Sequence, residues 1–106
     1  MPNTRIRVPE TAVEGEVVEI RAMIMHPMDN GFMVDTQGTT IPMHILTDFT
    51  CRYDGAEVFG VTLGPGIAAN PLFGFRLRAT RTGPVEFAWT DQDGTVTTAS
   101  AVLTVT

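Results

Sequence analysis

The chain contains no lysine: its seven basic residues are all arginines, Arg5, Arg7, Arg21, Arg52, Arg76, Arg78 and Arg81, spread along its length. Schiff-base and nucleophilic chemistry on lysine is thereby excluded. Cysteine occurs once, at Cys51, so neither an internal disulfide nor a thiolate metal cluster can be built. No stretch approaches the roughly 20 apolar residues that a membrane-spanning helix needs. Met1 to Val8 hold no apolar run, so a signal peptide is not expected at this end. Positive charge is scarce as well, for the formal net charge is −5. Nucleic-acid binding, which needs a concentrated basic surface, is not expected.

What the chain does have is alternation. Val85, Phe87 and Trp89 alternate with Glu86, Ala88 and Thr90, then Asp91-Gln92-Asp93-Gly94 supplies turn chemistry, and Thr95 to Val105 resumes a β-branched run. Such a pattern describes an antiparallel hairpin with one buried and one wet face. Comparable segments recur at Thr4–Val8, Glu16–Met25, Ile45–Tyr53, Glu57–Leu63 and Leu72–Thr80. Asp54-Gly55 reads as the turn between the third and fourth. No segment carries apolar residues at helical spacing. About seven short strands in 106 residues predict one all-β domain spanning residues 1–106, an immunoglobulin-like (fibronectin-type) antiparallel sandwich of two sheets. With 43% hydrophobic and 18% charged residues, the chain can bury a core unaided.

Alternation also assigns faces. Val18, Ile20, Ala22 and Ile24 point inward, as do Phe49, Cys51 and Tyr53, and then Phe59, Val61 and Leu63. Phe73, Phe75, Leu77 and Ala79, with Val85, Phe87, Trp89, Ala101, Leu103 and Val105, complete the expected core.

Two segments interrupt the pattern. His26 to His44 is too long for a plain hairpin loop, and Leu63 to Pro71 is a Gly/Pro/Ala stretch with no evident side-chain chemistry. Loops on a rigid sandwich are where binding resides. The outward set of the second segment ends in Met23 and Met25 and runs into Met28, Phe32 and Met33. Left in water, that apolar group marks a protein-contact surface; folded back, the loop would cover it itself.

The chemistry-bearing residues offer less. Cys51 lies on an inward face, where a thiol is a small hydrophobe with a raised pKa. His26 and His44 bracket a methionine-rich loop, and imidazole with thioether suits copper. However, His-Pro-Met is not a metal signature, and no carboxylate or thiolate completes the set in sequence. Asp91 and Asp93 sit in a turn, the ordinary place for Asp. Gly64-Pro65-Gly66 lacks the lysine and helix of a phosphate loop. Neither histidine accompanies a nucleophile motif such as G-x-S-x-G. An enzyme reading therefore finds little, and an enzyme using Cys51 ranks last among the alternatives.

The stretches RIRVPETAVEGEVVEIRAMIMHPMDNG, TIPMHIL, ANPLFGFRLRAT and TGPVEFAWTDQDG, in that order, resemble the SoxZ family. The similarity covers nearly the whole chain, and the combination of HPM, IP, ANP and the WTDxDG turn carries it. The family supplies the smaller subunit of the SoxYZ sulfur carrier of bacterial thiosulfate oxidation. The resemblance implies an immunoglobulin-like sandwich without catalytic residues, metal or cofactor. It implies a heterodimer with a SoxY-like carrier subunit, whose C-terminal Gly-Gly-Cys-Gly-Gly arm holds the sulfur intermediate and is visited by the other Sox enzymes. This chain ends Val102-Leu103-Thr104-Val105-Thr106, without such an arm, as expected of the partner subunit. A periplasmic location, reached by co-export with the SoxY-like partner, is implied in the same way. The expected partner interface is Met23, Met25, Met28, Phe32 and Met33. The methionine-rich loop departs from a family pattern that often carries charge there. The alternatives are a stand-alone module binding a metal or ligand through its Met/His loop, and a SoxYZ-like carrier serving a quinoprotein dehydrogenase.

Overall fold

The alternating segments become strands in the computed structural model, which describes residues 3–106. In chain order these are β1 (Thr4–Arg7), β2 (Thr11–Ala12), β3 (Val17–Ile24), β4 (Leu46–Tyr53), β5 (Ala56–Thr62), β6 (Leu72–Arg78), β7 (Gly83–Asp91) and β8 (Val96–Val105). They form a three-stranded sheet, β1-β3-β6, facing a five-stranded sheet, β2-β8-β7-β4-β5. The architecture is the all-β, immunoglobulin-like sandwich that the alternation predicts.

Two details depart from that expectation. The strand β2 has only two residues and escapes a pattern search, yet it caps the edge of β8. It pairs parallel to β8, with Thr11 opposite Thr104, so the sandwich is not purely antiparallel. Pro9 lies between β1 and β2. Lacking an N–H, proline cannot continue the β1 ladder, and the chain crosses there from one sheet to the other.

The core closes around Phe49, Phe87 and Trp89, all at most 1% exposed. The Phe49 ring lies 4.7 Å from Phe73 and 5.2 Å from Trp89, so one aromatic side chain ties β4 to strands of both sheets. Burial of each such side chain contributes about 1.5–3 kcal/mol. Phe59, Val61, Phe73, Phe75, Ala101 and Val105, expected inside, are only half-buried, because they lie toward the ends and edges of the two layers.

Tyr53, the last residue of β4, anchors the β6–β7 connection. Its hydroxyl accepts hydrogen bonds from the Thr80 and Arg81 amides, at 3.2 and 3.0 Å, and donates to the Arg81 carbonyl. Removing it strands backbone groups beside a ring that is 5% exposed. Tyr53→Phe is therefore expected to cost about 1–3 kcal/mol in urea unfolding; an unchanged midpoint would show the corner to be held by other contacts.

Candidate functional site

The four sequence stretches that look most distinctive meet at one end of the sandwich. β3 ends at Ile24, and His26 follows it with its side chain buried, 5% exposed. The His26 amide donates to Oδ1 of Asn70 at 2.9 Å, and the Asn70 amide donates back to the His26 carbonyl at 2.8 Å. Asn70 adopts φ 54°, a left-handed conformation that asparagine tolerates better than most residues. The segment from Leu63 to Pro71, expected to lack side-chain chemistry, thus supplies a clamp through Asn70. The His26 Nδ1 accepts from the Met28 amide at 3.0 Å. A neutral ring bonded in this way carries its proton on Nε2, which is buried without a protein partner.

The other two stretches join from the opposite side. The His44 ring lies 4.8 Å from that of His26, and its Nε2 is 3.6 Å from Asp91 Oδ2. Asp29 and His44 exchange backbone hydrogen bonds at 3.0 and 2.8 Å. Gln92 accepts from the Ile45 amide at 3.0 Å and donates from Nε2 to the Met43 carbonyl at 2.9 Å. Oδ1 of Asp91 accepts from the Asp93 and Thr95 amides, both at 2.9 Å. Burial pushes the Asp91 carboxyl up, but these amides and His44 outweigh it and hold it below its usual range.

This knot determines the shape of the long connection. Backbone pairing between Val34 and Thr40 follows the Asp29–His44 pair, and the Ile41 amide donates to the Met33 carbonyl at 2.8 Å. At the tip, Asp35 Oδ1 accepts from the Gln37 and Thr39 amides at 2.8 and 3.0 Å, and Gly38 takes φ 79°. The segment is a narrow ribbon arm rather than an open loop. It presents Phe32 at 85% exposure, with Met33 and Val34 both at 58%. Met25 and Met43, also exposed, flank its base.

The expected interface set divides accordingly. Met25, Phe32 and Met33 are exposed, and Met23 is half-buried on the outer face of β3. Met28 is a correction: it turns inward to 5% exposure, with its sulfur accepting from the Leu46 amide at 3.3 Å. Its φ of 50° aims the side chain into the core, which sequence spacing could not foretell. Val34 and Met43 join the exposed group instead.

Chemistry at the sandwich's own side chains is limited. Cys51 is fully buried, and burial pushes its thiol up to about 12. Almost none of it is thiolate at neutral pH, so it is a poor nucleophile. A hollow on the outer face of the five-stranded sheet, between Arg52, Glu86, Thr98 and Ser100, holds neither histidine nor cysteine. The fold does bring carboxylates to a histidine, contrary to the sequence expectation: ligand atoms of His44, Asp91 and Asp93 lie within 4.8 Å of one another. Among the described residues, these three are the group able to share a cation. His26 Nε2, protonated by its tautomer, and the Met28 sulfur, already bonded, do not extend the set.

A matching family model covers residues 6–102 and describes the sulphur oxidation protein SoxZ. The chain belongs to the SoxZ family of sulfur-oxidation proteins. A sequence search of curated proteins found no match. Among solved structures, the sulfur carrier protein SoxY from Chlorobium limicola f thiosulfatophilum is 18% identical, with a TM-score of 0.69 over 97% of this chain and 78% of that one. The superoxide reductase (neelaredoxin) from Ignicoccus hospitalis is 16% identical, with a TM-score of 0.72 over 97% of this chain and 80% of that one. At such identities the likeness is one of fold.

Titration of His26 tests the knot. Burial, reinforced by the neighbouring His44, holds its pKa below the usual 6.5 against the opposing pull of Asp91 and Asp29. The unfolded chain therefore binds a proton that the folded chain refuses, and stability must fall as pH drops below about 6.5. Urea midpoints are expected to decline from about pH 7.5 to about pH 5.5, with a shallower decline in His26→Gln. A flat wild-type profile would contradict the buried neutral imidazole.

Proposed function

We propose that this chain is the non-catalytic subunit of a SoxYZ-type heterodimer serving thiosulfate oxidation. The SoxY-like partner carries the sulfur intermediate on its own mobile cysteine, and this chain supplies the rigid body on which that subunit is held. The observation that carries the reading is the pairing of an inert, buried Cys51 with an arm whose Phe32, Met33 and Val34 are left in water. Membership of the SoxZ family supports it. A solvated Phe beside Met and Val is the composition of an interface centre, where aromatic and Met side chains are enriched. The arm is pinned at its base by the His26–Asn70 and Asp29–His44 pairs, so little ordering entropy is lost on docking.

The same reading places the pair in the periplasm, this chain travelling with its partner. Fractionation of cells expressing the chain with and without the SoxY-like subunit tests this; a periplasmic signal independent of the partner would contradict it.

Two substitutions test the interface and the chemistry separately. Phe32→Asp with Met33→Asp removes two anchors of about 1.5–3 kcal/mol each and is expected to weaken heterodimer formation by at least about tenfold. Calorimetric titration with the purified SoxY-like subunit measures it, and the thermal midpoint of the free chain should not move, because both side chains are exposed. Unchanged affinity would remove the arm from the interface. Cys51→Ser is expected to lower stability by about 1–3 kcal/mol through burying a hydroxyl while leaving thiosulfate-dependent turnover of the reconstituted system intact. Loss of turnover in protein that stays folded would give Cys51 a chemical role.

A further inference from the structure

The seven arginines, scattered in sequence, are not scattered in space. β-Sheet alternation and register carry five of them, Arg5, Arg7, Arg21, Arg76 and Arg78, to the outer face of the three-stranded sheet. Of twelve carboxylates in the chain, Glu19 alone belongs to the outward set of those strands. It pairs with Arg21. Among the described residues Arg5, Arg7 and Arg76 make no ion pair, and Arg78 donates to the Gly15 carbonyl at 2.8 Å. A chain of net charge −5 thus concentrates its positive charge on one flat surface.

The placement has a cost. Arg7 stands directly opposite Arg21 across β1 and β3, and like charges in that position destabilise a sheet. On the other side of Arg21 lies Gly74, which offers no side chain and leaves the arginine stem lying over bare backbone. Two shallow hollows share Arg21 and Leu72 as a common wall. Leu72, 60% exposed, and Val17, 47% exposed, interleave with the charges.

We propose that this face docks the acidic surface of a second protein partner, distinct from the one held by the arm. Charge complementarity selects the occupant. The arginines extend over three strands, about 10 Å across, and from the Val17–Arg78 pair to the Arg5–Met23 pair along β3. A single small oxyanion cannot span that array. A nucleic-acid backbone would meet an exposed valine at one end of the array, an exposed leucine at the other, and the acidic remainder of the molecule around it. A protein surface that mixes carboxylates with apolar side chains satisfies both features, and arginine is enriched at such interfaces. Carboxylates brought by the partner would also relieve the Arg7–Arg21 repulsion, in which only Arg21 has an ion-pair partner within the free chain.

The test follows arginine Nε and Leu72 methyl resonances of the full-length chain during titration with a short peptide of alternating glutamate and leucine. A lysine–leucine peptide and a short DNA duplex serve as comparators. The proposal expects shifts at the five arginines and Leu72 with the acidic peptide only, lost at about 0.3 M salt. The double variant Arg7→Gln with Arg76→Gln is expected to bind at least about tenfold more weakly and to melt no lower than the parent, since Arg76 makes no ion pair and loss of Arg7 relieves its repulsion with Arg21. Absent shifts, shifts confined to Phe32–Val34, or tighter binding of the duplex would overturn it. So would the same resonances moving with the concentration of the chain alone, which would assign the face to a second copy.

Discussion

A single buried imidazole ties together the end of the molecule on which its role depends. His26 is bonded through its own amide and carbonyl to Asn70, and through its ring to the Met28 amide, while its neighbour His44 pairs with Asp29 and faces Asp91. Apart from the local Met28 bond, these contacts join segments far apart in the chain. Their union converts a connection that would otherwise cost much ordering entropy into a preformed arm. The exchange is asymmetric: the knot buries polar groups and needs them paired, whereas the arm it supports exposes apolar ones.

The chain's sole thiol makes sense on the proposed role. A carrier subunit holding sulfur on a cysteine presents a labile bond that any nearby thiolate could attack, and the rate of such exchange follows thiolate fraction and access. Cys51 offers neither, because burial among the aromatic rings of the core keeps it protonated and out of reach. The subunit can thus stand beside the cargo without competing for it. The arginine face adds a second asymmetry, giving an acidic molecule one side to which an acidic visitor can be drawn.

Much of the fold was legible because strand physics is local. The alternation around Phe49, Cys51 and Tyr53, or Val85, Phe87 and Trp89, states which face is buried before any contact is known. The strand β2 was not legible, since two residues carry no period and its pairing with β8 is set by tertiary position. The candidate site was half legible. Phe32, Met33 and Met25 could be read as exposed because they continue an outward set into a loop. Met28 could not, for its burial depends on a left-handed backbone and on the Leu46 amide. Asn70 and Gln92 hid in plain turn composition, and their roles arise only when distant segments meet. The arginine face was hidden in the same way: Arg7 and Arg21 are neighbours only through register.

The central claim is that this polypeptide contributes surface and no covalent step. Intact-mass spectrometry of the co-purified pair, sampled during thiosulfate turnover without reductant, tests it most directly. The account predicts sulfur adducts on the SoxY-like subunit alone, with this chain at its unmodified mass throughout. An adduct on this chain that maps to Cys51 and accumulates and decays with turnover would contradict it.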